Sequence, residues 1–254
     1  MSLRFASLGS GSKGNATLIE SPQGLLLLDC GFTIKETVRR LALLGHQPED
    51  LTAILVTHEH GDHIAGVGPL ARRYNIPVYL THGTAQHKSV AKLPIRHLIN
   101  THQNFHIADI EITPVVVPHD AREPCQFVFR HQQKTLGVLT DLGSITPFII
   151  QQYLHCDSLM LECNHDSRML AMGPYPQSLK VRVGGQWGHL NNVQAANLLR
   201  EINTELLQHL VISHISEQNN TETLARNAIM GVYGDEQPLL LAKQDQGFDW
   251  LGID

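Results

Sequence analysis

Apolar residues arrive along this chain in short dense runs separated by turn-forming chemistry. LRFASLGSGSKGNATLIE (3–20) alternates, breaks at a Gly/Ser cluster and resumes, which predicts a hairpin. GLLLLDCG (24–31) is apolar on both faces, as a strand inside a covered sheet must be. TIKETVRRLALLG (33–45) switches to helical spacing. Ile34, Val38 and Leu41 share a face, Thr33 and Glu36 have the offset of a capping box, and Gly45 suits the C-terminal stop. LTAILVTH (51–58) reads as another buried strand, and IAGVGPLARRY (64–74) as a helix.

The middle is richer in strands: EITPVVVP (111–118), CQFVFR (125–130) and TLGVLTD (135–141). A helix, TPFIIQQYL (146–154), and a strand, DSLMLEC (157–163), follow. The last third predicts helix NVQAANLLREI (192–202), strand HLVISH (209–214), helix ETLARNAIM (222–230) and a closing strand PLLLA (238–242). Strands in runs with interspersed helices suit an α/β (α+β) fold of two stacked sheets covered by helices, a four-layer αββα sandwich. No repeat or linker-like stretch marks a boundary, so residues 1–254 read as a single domain.

Chemistry enters at HEHGDH (58–63), where three histidines, a glutamate and an aspartate crowd directly behind an apolar strand. In extended backbone, residues two apart point the same way, so His58 and His60 project together. Gly61 permits a sharp turn, and Asp62 and His63 open the next helix on a changed heading. Two ligands aim one way and two the other, a geometry for two adjacent cations; imidazole and carboxylate suit zinc, manganese or iron. A polar helix cap would account for Asp62 alone. The remaining ligands are sought at other strand ends: His119 after VVVP, Asp141 after LGVLT and His214 after LVIS. The expected grouping is His58, His60 and His119 on one ion, Asp62, His63 and His214 on the other, with Asp141 between them.

Composition narrows the setting. The chain carries 16 histidines, which makes a metal site worth seeking. The formal net charge of −5 argues against a surface coated in cations for nucleic acid, although bound metal would add positive charge locally. Cys30, Cys125, Cys156 and Cys163 form no CxxC pair and are expected to be buried thiols. No apolar run reaches the ~20 residues of a membrane span, and a cytoplasmic location is expected.

These residues in this order resemble the metallo-β-lactamase superfamily of metallohydrolases. LGSGSKGN, LLLLDCG, THEHGDHIAG, the His119 segment, TDLG and the His214 segment carry the likeness. LECNHD (161–166), YPQSLKVRV (175–183), GHLNN (188–192) and SHISEQNNT (213–221) resemble its YycJ/WalJ branch, which is associated with 5′-to-3′ exonuclease action on DNA. The resemblance implies a dinuclear phosphodiesterase or nuclease holding two divalent metal ions, zinc or manganese with iron possible, whose bridging hydroxide attacks phosphorus and whose partner is nucleic acid or another phosphodiester. It implies that Asp62 also orients the nucleophile, and that His165 or His189 protonates the leaving group. Asn164 stands in the same motif as His165 and is expected at the substrate. Lys180 and Arg182, read as two apart on one face of an extended segment, would hold the phosphate backbone with Arg168 and Lys13. The lactamases carry cysteine where Asp141 stands, and flavo-diiron enzymes carry glutamate where His60 stands, so those chemistries are not expected. Hydrolysis of a small ester, thioester or cyclic phosphodiester at the same metals is the alternative, and a non-catalytic regulatory module the third reading.

Overall fold

A computed structural model describes residues 3–234 and 239–254. Two seven-stranded mixed sheets face each other. The first is built by β1 (Leu3–Gly9), β2 (Ala16–Ser21), β3 (Gly24–Leu28), β4 (Ala53–Leu55), β5 (Val78–Thr81) and β6 (Arg96–Ile99). The second takes β7 (Phe105–Ile107), β8 (Ile110–Val116), β9 (Cys125–His131), β10 (Lys134–Leu139), β11 (Ser158–Glu162), β12 (His209–Ser213) and β13 (Leu239–Leu241). The chain then crosses back, and β14 (Phe248–Ile253) pairs antiparallel with β1. PLLLA is therefore not the closing strand; within it Pro238 lies outside the described residues.

Side-chain alternation explains the layers. Leu26, Leu28, Ala53 and Leu55 point between the sheets and meet Phe127, Phe129, Met160 and Val211 from the other side. Their neighbours Leu25, Leu27, Ile54 and Val56 point outward, where α1 (Ile34–Leu43) and α3 (Val67–Tyr74) supply Leu41, Leu70 and Ala71. On the opposite outer face Leu159, Leu161, Leu210 and Ile212 pack beneath α4 (Pro147–Tyr153), α7 (Asn192–Glu201) and α8 (Glu222–Tyr233). Period-two strands buried on both faces and covered by helices are the αββα sandwich expected.

The predicted 64–74 helix is two pieces, α2 (Gly61–Ile64) and α3. Gly66 stands between them, pressed so close to another segment that a side chain there would meet Phe32 O at 2.1 Å. Thr33 caps α1 through Glu36 N, but Glu36 turns its carboxylate to Arg39 and Arg40 instead of completing the box.

One correction bears on the site. YPQSLKVRV is not extended: Gln177–Val183 forms helix α6 behind α5 (Ser167–Met172). Pro176 precedes its first residue, and Leu179 and Val183 are one turn apart, so helical spacing wins over the apparent alternation of SLKVRV. Lys180 and Arg182 consequently lie on different faces.

Candidate metal centre and cleft

In the parallel parts of both sheets the strands end at one edge of the sandwich, the place where open α/β sheets gather ligands. Asp29 follows β3, His58 follows β4, Asp141 follows β10, Glu162 ends β11 and His214 follows β12. Asp29, Asp141 and His214 turn through left-handed backbone with φ of 59°, 53° and 52°. Such conformations cost roughly 1–3 kcal/mol each for a non-glycine residue and cluster where side-chain aim matters more than backbone comfort.

The donors converge in two adjoining groups. Nitrogen atoms of His58, His60 and His119 lie within 4.8 Å of one another, as do ligand atoms of Asp62, His63 and His214. Asp141 faces both: its carboxylate is within that span of His58 and His63, and Oδ1 is 3.5 Å from His214 Nε2. A fourth group joins Asp141 and His214 to Glu162 and His189, and the ten remaining histidines, His82 and His165 among them, join no cluster among the described residues.

Local hydrogen bonds set the tautomers. His119 Nδ1 donates to Gly188 O at 2.9 Å, and His63 Nδ1 donates to Asp29 Oδ2 at 2.8 Å. His214 Nδ1 faces Glu162 Oε1 at 3.2 Å. The Thr57 hydroxyl donates to Asp29 Oδ2, so His58 Nδ1 must donate to Thr57 Oγ1, 2.9 Å away. Each ring thereby turns Nε2 toward the shared space, the arrangement by which carboxylates and carbonyls orient metal-ligating histidines. His58 Nε2 and Asp141 Oδ2 are buried and make no hydrogen bond, although Asp141 Oδ2 stands 3.2 Å from His63 Nε2 at ion-pair range. Orphaned buried polar atoms aimed at one point call for a cation, and this donor set fits divalent metal ions.

Electrostatics agree. Burial pushes the His58 pKa well down, helped by its histidine neighbours, so that ring is a neutral donor. Burial also opposes charge on His63 and His214. Asp141 and the carboxylates around them win, raising His63 well above its ordinary value and His214 to about 10. Burial would raise Glu162, yet His189 and His214 hold it at about 2. The centre is thus an ion-paired network whose ring protons a cation can replace.

A cleft of about 350 Å³ opens over these groups. Asp62, Asp141, Asn164, Arg182, His189 and His214 all line it. Arg182 pairs with Asp120, which also stands 3.7 Å from His60 and 3.6 Å from His119. Asn164 spends its amide on His214 O at 3.1 Å. His165 is buried and absent from the lining, and its Nδ1 has no partner. Lys180 donates to Ala171 O, Lys13 pairs with Glu217, and Arg168 is exposed on α5; none of the three lines the cleft. Sequence reading missed Asp29, Glu162 and Asp120. Asn15 was missed too: its Nδ2 lies 3.3 Å from Asp62 Oδ2.

Comparison with known proteins identifies the family. The Beta-lactamase superfamily domain matches residues 25–215. The exodeoxyribonuclease YycJ of Bacillus anthracis is 34% identical over 91% of this chain and 89% of its own. The chain belongs to the β-lactamase superfamily, in its YycJ/WalJ branch. The exodeoxyribonuclease WalJ of Streptococcus pneumoniae is likewise 34% identical, over 87% of this chain and 85% of its own. The metallo-β-lactamase fold protein YhfI from Bacillus subtilis superposes with a TM-score of 0.73 at 20% identity, covering 98% of this chain and 99% of that one, which shows the fold. As a superfamily member with this histidine and aspartate cluster, the protein is a metal-dependent hydrolase. No helix among the described residues is long and apolar enough to cross a membrane.

Proposed function

We propose that this hydrolase is a two-metal phosphodiesterase acting on nucleic acid, most nearly a 5′-to-3′ exodeoxyribonuclease. The observation that carries the reading is the pair of adjoining donor groups sharing Asp141. Support comes from the two curated relatives, each named an exodeoxyribonuclease. His58, His60 and His119 would hold one divalent ion and Asp62, His63 and His214 the other, zinc or manganese being the ions best suited. Such ions, when bound, acidify a water and neutralise charge on a phosphoryl group.

The side chains do the rest. Asp62, kept ionised by His63 and His214 against the effect of burial, orients the attacking water. His189 Nδ1 donates to Glu162 Oε1 at 2.7 Å, which fixes the ring. Burial disfavours the imidazolium, but Glu162 outweighs it and raises the His189 pKa, which favours His189 as the proton donor for the leaving oxygen. His165, outside the cleft lining, has no such access. In this reading Arg182, which pairs with Asp120, exchanges that carboxylate for a substrate phosphate, while Asn164 steadies His214.

The net charge of −5 and the modest cleft favour one second reading, a small ester, thioester or cyclic phosphodiester substrate. Incubating metal-loaded protein with end-labelled DNA and RNA and with bis-p-nitrophenyl phosphate separates the two. Release of nucleotides from an end supports the nuclease, and hydrolysis of the small ester alone removes it.

A further inference from the structure

No residue of α6 is buried, although the helix carries Leu179 and Val183 one turn apart. Tyr175, just before the helix and its cap Pro176, opens onto the same cleft as Leu179 and Val183. All three line the cleft that also holds Asp62 and Asp141. An apolar and aromatic stripe left open inside a polar catalytic cleft asks for an occupant with one flat apolar face and one anionic end. Arg182, on the same helix and in the same cleft, supplies the cation for that end. At about 350 Å³ the cleft is near the small end of ligand sites, which span ~300–1,000 Å³, so it suits one ring system with its phosphate and not a stacked duplex. The helix is also anchored: Gly188, just beyond it, gives its carbonyl to His119 Nδ1 at 2.9 Å.

We infer that Tyr175, Leu179 and Val183 seat the unstacked base of the terminal nucleotide, which makes a single-stranded or frayed end the substrate class. The inference rests on the phosphodiesterase reading. Leu179 and Val183 bear no hydrogen-bonding side-chain group, and every base has a π-face, so the seat is tolerant of sequence.

The test compares metal-loaded wild-type protein on two single-stranded DNA oligomers, one ending in a normal nucleotide and one in a tetrahydrofuran abasic nucleotide. The abasic end is expected to lose roughly 5- to 150-fold in kcat/KM, the usual worth of one base stacked on an aromatic side chain. Tyr175→Ala should impose a similar loss on the base-bearing end and little further loss on the abasic one. Leu179→Ser should behave alike, and because neither residue is buried the fold is retained. Equal rates on both ends overturn the base seat while leaving the phosphodiesterase intact. Cleavage of a blunt-ended duplex but of neither oligomer overturns the base seat alone, and turnover of bis-p-nitrophenyl phosphate with no cleavage of oligomer or duplex overturns the nucleic-acid reading and the base seat with it.

Discussion

Glu162 Oε1 accepts a hydrogen bond from His189 Nδ1 at 2.7 Å, and the carboxylate is fully buried. The same oxygen faces His214 Nδ1 at 3.2 Å, and Oε2 accepts from Leu190 N at 2.9 Å. One carboxylate therefore aims the proposed proton donor and a proposed metal ligand together. Glu162→Gln keeps the size and removes the charge. Expected is a roughly 10- to 100-fold loss of kcat, the usual cost of losing a carboxylate behind an active histidine. Steady-state kinetics with circular dichroism checks this, and unchanged kcat would dismiss the role.

Asp29 plays the matching part for His63 while binding Thr57 through both its N–H and its hydroxyl. Asp29→Asn should weaken divalent metal binding by about 10- to 100-fold, because the His63 ring loses its charged orienter. Titration against a fluorescent chelator measures it, and wild-type affinity in the variant would refute the link.

Gly188 shows how tightly the cleft wall is set. A Cβ there would stand 2.2 Å from both Arg182 O and Val183 O. Gly188→Ala must displace the chain that presents His189 and the carbonyl held by His119. A loss of about 1–3 kcal/mol in stability is expected, as for overpacking, together with a fall in turnover. Urea unfolding reads the first and kinetics the second.

Stability should depend on acid through His165, whose pKa burial lowers from 6.5 to about 4. Below pH 6.5 the unfolded chain takes up a proton that the folded ring refuses. Stability is therefore fully present above pH 6.5, falls as pH drops, and levels off below about 4. The total is roughly 3 kcal/mol, since each tenfold change in proton affinity is worth about 1.4 kcal/mol. Unfolding free energies from urea titrations of wild type and His165→Phe between pH 7 and pH 4 should diverge by that amount. Parallel curves would mean that His165 does not titrate in this range.

Much of this was legible because metal chemistry leaves a dense local mark. His58, His60, Asp62 and His63 sit within six residues, and His119, Asp141 and His214 each follow an apolar strand. Asp29 and Glu162 obey the same rule, ending LLLLD and SLMLE, and applying it to every strand would have found them. Asp120 and Asn15 gave no such signal, since their roles arise only once distant segments meet. The edge strands β6, β7 and β14 escaped because they are short or half-exposed and lack the apolar run that marks a covered strand. In α6, four alternating residues looked like a strand, and only the turn-to-turn spacing of Leu179 and Val183 marks the helix.

The pairing of two ions across Asp141 is the centre of the account. Anomalous diffraction at the zinc and manganese edges from crystals of the metal-loaded protein tests it most directly. Expected are two peaks flanking Asp141, one beside His58, His60 and His119 and the other beside Asp62, His63 and His214. A single peak, or none within reach of Asp141, would contradict it.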